Sequence, residues 1–153
     1  ERWFFDRILN ERPVPLPGDG KTITQLGHVV DLANAMVRSL EVDTAENRIY
    51  NCSDKKGITF SGLVVAAAIA CGKRVENVKT ISFDPSGLDP KSRKAFPLRL
   101  SHFLTDTTLI ESELEWQPQF DIYSGFIDSY RNDYALTLPS QPDFSGDRSL
   151  IGV

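Results

Sequence analysis

The chain has 153 residues with 17 basic and 21 acidic side chains, a formal net charge of -4, 41% hydrophobic residues and 25% charged ones. That is enough chain for one sizeable core, and the balance excludes a disordered chain, a fibrous one and a strongly basic polyanion binder. The longest apolar run, residues 63–71, is half the roughly 18 residues of a membrane span, and no charged, then apolar, then small-residue leader occurs, so neither membrane nor export is expected.

Trp3, Phe4, Phe5, Ile8 and Leu9 recur at helical spacing, and Pro13 ends that helix. Val14-Pro15-Leu16-Pro17 reads as extended, edge-like backbone, followed by a turn at Gly18-Asp19-Gly20. Residues 22–26 alternate and predict a strand. From Val29 the period changes. Val29, Leu32, Ala33, Met36, Val37 and Leu40 form an apolar stripe, which predicts an amphipathic helix. Residues 47–53 (NRIYNCS) predict a short strand. Thr59 caps a helix over about 60–71 that ends at Gly72; it is apolar nearly all round and should lie between layers.

Residues 78–83 predict another strand, running into a turn-rich loop through Asp84-Pro85-Ser86-Gly87 and Asp89-Pro90. Asp106 opens a short helix with Leu109, Ile110 and Leu114 on one face, closed by Trp116 and Pro118. Asp121 caps the last helix, whose stripe is Ile122, Phe126, Ile127, Tyr130 and Tyr134. Residues 139–153 are expected to be a peripheral tail. Strands alternating with helices through short links give an α/β layered domain over residues 1–138. The chain opens at Glu1 directly on an aromatic cluster, so a piece of a longer polypeptide is expected, with Trp3, Phe4 and Phe5 available to pack on an absent half or a partner.

Two cysteines, Cys52 and Cys71, cannot make a disulfide framework and read as buried, reduced thiols of a reducing compartment. Gly18-Asp19-Gly20 is the one candidate phosphate loop. A dinucleotide fingerprint needs a third glycine three residues on, ahead of a helix, whereas Ile23 and a strand follow here, so the turn reading wins. A Tyr with a Lys four residues later, the acid–base pair of short-chain dehydrogenases, is absent: the offsets from Tyr50, Tyr123, Tyr130 and Tyr134 give Asp54, Ile127, Tyr134 and Leu138. These residues alone are not expected to transfer hydride. His28 and Asp31 share a helix start, but two ligands do not make a metal site; Asp31 reads as a helix-end charge and His28 as packing at a strand terminus. Asp84, Asp89 and Asp106 read as turn and cap residues.

Lys91-Ser92-Arg93-Lys94-Ala95-Phe96-Pro97-Leu98-Arg99 carries four positive charges and no acidic residue. Cations around an aromatic can hold a phosphate backbone while the ring stacks on a base. The competing reading is a solvated loop that anchors Phe96 in the core. Lys55-Lys56 and Lys73-Arg74 extend the patch if the fold brings them together.

His28-Val29-Val30-Asp31-Leu32-Ala33, with Ile49-Tyr50-Asn51-Cys52, Thr59-Phe60 and Trp116-Gln117-Pro118, resembles the C-terminal half of an extended short-chain dehydrogenase/reductase of the NAD-dependent epimerase/dehydratase superfamily. Gln25-Leu26-Gly27-His28-Val29, the Lys94–Arg99 motif with His102-Phe103, and Asp143-Phe144 resemble more narrowly the b-type chloroplast stem-loop-binding proteins and their cyanobacterial relatives. This resemblance implies the substrate-side α/β part of a Rossmann-type fold without the glycine-rich nucleotide-binding half. It implies RNA as partner, a ribonucleoprotein or homo-oligomeric setting, and a cyanobacterial cytoplasm or plastid stroma. In the full-length parent it implies NAD(P), and a divalent metal where members cleave RNA; in this chain no cofactor is expected.

Nucleotide-sugar enzymes usually place an Arg four residues after the second glycine of the GdG turn, gripping the substrate pyrophosphate. Here that position is Thr24, which forgoes bidentate phosphate binding. Similarly, Glu115 stands for the usual glycine before Trp116. The expected nucleic-acid-binding residues are therefore Lys91, Arg93, Lys94, Phe96 and Arg99, with Phe103 as a second stacking platform. Thr24 and His28 are candidate lining of a former substrate pocket. The alternative function is the substrate domain of an NAD-dependent sugar-nucleotide epimerase or dehydratase.

Overall fold

A computed structural model describes residues 1–137 and 141–152. In chain order its elements are α1 (Arg2–Leu9), β1 (Val14–Pro17), β2 (Ile23–Thr24), α2 (Val29–Glu41), β3 (Ile58–Thr59), α3 (Phe60–Ala70), β4 (Thr80–Phe83), α4 (Pro90–Arg93), α5 (Thr108–Leu114), α6 (Ile122–Ser129) and α7 (Asp147–Ile151). β1 pairs in parallel with β4, Val14 opposite Thr80 and Pro17 opposite Phe83. β2 pairs antiparallel with β3, Ile23 opposite Thr59.

The helix between layers is α3. Thr59 Oγ1 accepts the Gly62 N–H at 3.0 Å and starts it. Phe60, Leu63 and Val64 are buried together with four alanines, so α1, β1 and α6 can all approach it. Phe4, Phe5 and Ile8 of α1 belong to this core. The N-terminal aromatics are therefore internal, not a surface awaiting a partner. Phe5 packs edge-on against Phe126, Tyr130 and Tyr134, so first and last predicted helices close on each other around α3.

For α2 the predicted period is right and the expected face is inverted. Val29, Leu32, Met36, Val37 and Leu40 all face outward, Leu40 at 88% exposure, while Asp31 and Ala35 are buried. The inner face is small and polar because it fits a polar turn. Ala35 packs with Ile110, Leu114 and Trp116. The Asp31 carboxylate accepts the backbone N–H groups of Gln119 at 2.8 Å and Phe120 at 3.2 Å, and Arg38 Nε donates to the Leu114 carbonyl at 2.9 Å. Since Val37 and Leu40 support nothing inside the chain, replacing both with lysine is expected to change unfolding free energy by no more than about 0.5 kcal/mol per site. The same variant should lower self-association in light scattering; a loss of several kcal/mol in a urea titration would contradict this packing.

The strand predicted over 47–53 does not form. A strand exists only through a backbone neighbour, and none pairs with this segment among the described residues. Side chains hold it instead: Tyr50 donates to Glu113 at 2.6 Å, Asn51 to the Asp106 carbonyl at 3.1 Å, and Ser53 meets Thr105 at 2.9 Å. Ile49 is 90% exposed.

The last segment also departs from expectation. α7 buries Asp147 and Leu150 and packs on β1, β4 and α4, so residues 144–151 are not a peripheral tail. Asp147 is drawn inward by Arg7 and Arg12. The boundary expected at residues 138 and 139 lies outside the described residues.

Candidate nucleic-acid interface

The segment that follows β4 is built from aspartate-capped turns. Asp84 accepts the Ser86 N–H at 2.8 Å; Asp89 accepts those of Lys91 at 2.8 Å and Ser92 at 3.1 Å and so starts α4. These bonds hold both carboxyls below the usual carboxylate range, led by the Ser86 backbone for Asp84 and the Ser92 side chain for Asp89. Asp106 accepts the Thr108 N–H at 2.8 Å in a turn just ahead of α5, whose cap position is Thr107. The reading of all three as turn and cap residues matches this geometry.

Phe96 is the anchor of the segment. It is 4% exposed, with ring centroids 5.6 Å from Trp3, 5.2 Å from Phe60 and 5.8 Å from Phe83. It cannot stack on a base; the core reading is correct and the stacking assignment is not. An aromatic in a loop that finds three rings gains more from burial than from solvent.

Lys91, Arg93, Lys94 and Arg99 remain exposed. None forms an ion pair within 4.0 Å among the described residues, whereas Lys21, Arg38, Arg48, Lys55 and Arg74 each face a carboxylate. The Arg99 guanidinium lies 4.5 Å over the half-buried ring of Phe103. That part of the chain is fastened to β2. Phe103 N–H donates to the Ile23 carbonyl at 2.9 Å, and His102 Nδ1 accepts the Ile23 N–H at 3.0 Å. Next to it, Gln25 Oε1 accepts the Thr105 N–H at 2.6 Å. Arg99 is thus held over a ring on a tied backbone. Lys55 is committed to Glu111 at 2.9 Å, so it adds no free charge.

Thr24 and His28 do not share a pocket. Thr24 is buried in the β2–β3 pair. His28 lines an open cavity of about 570 Å³ with Glu1, Cys52, Asp128 and Asn132. Its ring stacks on Phe120 at 3.9 Å, Nε2 lies 3.2 Å from Asp128, and Nδ1 accepts the Val30 N–H at 3.3 Å. His28 caps α2, while Asp31 stands in the first turn of α2, as a helix-end charge should, and also ties the 119–120 turn. With its ring stacked on Phe120 and both nitrogens near a partner, His28 fixes the start of α2.

The glycine turn does not fit a dinucleotide. Gly20 has φ 71° and its missing Cβ faces the Ser61 hydroxyl, so it is the close packing of turn on α3 that demands glycine. The turn passes into β2, not into a helix N-terminus. No group of three or more His, Cys, Asp or Glu placed to hold a metal occurs among the described residues. Cys52 and Cys71 are free, and burial pushes both thiols up, Cys71 to about 11. Among the described residues no helix is long and apolar enough to cross a membrane.

Residues 2–53 match the NAD dependent epimerase/dehydratase family. Over 152 residues the chain is 38% identical to the chloroplast stem-loop binding protein of 41 kDa b of Arabidopsis thaliana, covering 99% of this chain and 40% of that protein. The chain therefore spans about two fifths of the length of the curated relative it matches. UDP-glucose 4-epimerase from Thermotoga maritima superimposes with a TM-score of 0.69 at 19% identity, over 89% of this chain and 39% of that one. UDP-glucuronic acid 4-epimerase from Bacillus cereus, solved with UDP-glucuronic acid and NAD, gives 0.66 at 16% identity, over 87% and 38%. At such identities these two structures speak for the fold. The chain is an α/β piece of an extended short-chain dehydrogenase Rossmann-like fold, and it resembles the NAD-dependent epimerase/dehydratase superfamily.

Proposed function

We propose, on the premise of that resemblance, that this chain is an RNA-binding module on a dehydrogenase-derived framework and that it acts on stem-loop RNA. The observation that carries the reading is the run of exposed cations Lys91, Arg93, Lys94 and Arg99, with no ion pair among the described residues, on a segment anchored by buried Phe96. The relative whose name includes stem-loop binding supports it, since the match runs through the ledge. Folded RNA is recognised largely by shape, phosphates and 2′-hydroxyls, so a small patch on an acidic chain suffices. The Lys and Arg side chains neutralise phosphates, and Phe103, half-covered by Arg99, is the aromatic beside them. The proposal is one of binding; a cleavage step is not assigned to this chain. A plastid or cyanobacterial setting accords with the relative's chloroplastic name.

The partner proposed for the bare face of α2 is the remaining part of the longer relatives, three fifths of whose length lies beyond the match. Val29, Leu32, Met36, Val37 and Leu40 are all exposed along α2, an apolar face of the kind that a sheet edge and its helices cover. The substrate-domain reading is the weaker one. Thr24, where sugar-nucleotide enzymes carry Arg, is neutral and buried.

Changing Arg93, Lys94 and Arg99 together to glutamine is expected to weaken stem-loop binding and flatten the slope of log K against log salt by up to about three units. Fluorescence titrations at several salt concentrations measure both. Unchanged affinity would remove the proposal.

A further inference from the structure

A cavity of about 350 Å³ lies between the C-terminal ends of α1 and α3, and no residue of the 91–99 segment lines it. Arg12, Lys73, Arg74, Asn77 and Lys79 wall it, Ile8 and Val78 contribute apolar surface, and Glu11 is the acidic residue of its lining. Arg74 is answered by Glu76 at 2.9 Å, but Lys73 and Lys79 have no carboxylate within 4.0 Å among the described residues.

Arg12 is held at the edge of the cavity. Its guanidinium lies 4.5 Å over the ring of Phe144, and its Nε is paired with Asp147 at 3.5 Å. A stacked guanidinium loses little freedom on binding an oxyanion.

Two helix C-termini meet here, and cations often collect at such ends to answer the last carbonyls. That role is already filled by backbone. Asn10, Glu11 and Arg12 donate to the carbonyls of Asp6, Ile8 and Arg7; Cys71, Gly72 and Lys73 donate to those of Ala67, Ile69 and Ala68. The lysine ammonium groups are left over.

We propose that this cavity is a phosphate-binding site, taking a phosphoryl or diphosphoryl group on Arg12, Lys73, Lys79 and the Asn77 amide. The chemistry is common to a nucleic-acid backbone and to a small phosphate ester. It is independent of the ledge and goes beyond the RNA reading.

The probe is inorganic pyrophosphate, titrated calorimetrically into the intact chain at low ionic strength. Saturable one-to-one binding is expected, weakened at least about tenfold in a Lys73→Gln/Lys79→Gln variant, because charge-assisted bonds are lost. Both lysines are exposed, so the fold should survive; a matching melting curve verifies that. Absence of binding up to about 10 mM, a range that reaches very weak complexes, or equal affinity in the double variant, overturns the site. A competition arm distinguishes the sources: displacement of pyrophosphate by a short RNA hairpin points to a nucleic-acid phosphate, and persistence beside bound hairpin to a small phosphate ester. Failure of the hairpin to bind anywhere would strike the RNA reading and leave the pyrophosphate result standing.

Discussion

Replacing Asp147 with alanine is expected to cost about 3–5 kcal/mol of folding stability, the usual penalty for breaking a buried ion pair from one side. Arg7 and Asp147 are 2% and 1% exposed and lie 140 residues apart. Arg7 Nε donates to Asp147 at 3.1 Å, a second amino group bonds the same oxygen, and the third donates to the Trp3 carbonyl at 2.9 Å. The guanidinium also lies 3.6 Å over the Trp3 ring. Burial pulls its pKa below the ordinary arginine value, against the opposing pull of Asp147. Without the carboxylate a desolvated cation remains, and α7 loses the contact that draws it onto β1 and β4. Asp147→Asn keeps an acceptor and should lose less. An Arg7→Met/Asp147→Leu pair should recover most of the loss, because it removes both charges together. Urea titrations of the four proteins measure this. A loss below about 1 kcal/mol for the alanine variant would mean that Asp147 does not latch the chain's last segment to its first helix.

Much of this fold was legible in the sequence where the signal is local. Thr59 and Asp121 cap the helices they were expected to cap, the latter in a reciprocal box with Ser124, because a cap is decided within four residues. The all-round apolar α3 announced its place between layers for the same reason. Errors arose wherever the deciding partner lies far away. The stripe of α2 fixes a period but not which neighbour is present, and here the small polar side met the 114–120 turn. Residues 47–53 have strand composition, yet among the described residues no strand pairs with them. In the site, the four ledge cations were legible as a charge run. The burial of Phe96 was not decidable, since Trp3, Phe60 and Phe83 approach it from three separate elements. The cavity at Arg12 gathers residues about sixty positions apart, and no spacing rule reaches that far.

Phe96→Ala should destabilise the fold by about 3–5 kcal/mol, the range for deleting a buried aromatic ring. Its ring is edge-on to Trp3 and Phe60 and tilted against Phe83, so truncation leaves a cavity bordered by three rigid rings that cannot readily collapse into it. The basic ledge is carried on the same few residues, so RNA affinity should fall with the fraction folded and recover at temperatures where the variant is native. Phe103→Ala should behave in the opposite sense. That ring is half-buried and supports Arg99 from below. Its loss should leave melting much less changed and weaken stem-loop binding even in fully folded protein, because Arg99 is no longer held in place. Denaturation curves and RNA titrations on the two variants separate these roles. A stable Phe96→Ala protein with impaired binding would return Phe96 to the surface and make it, not Phe103, the aromatic that RNA binding depends on.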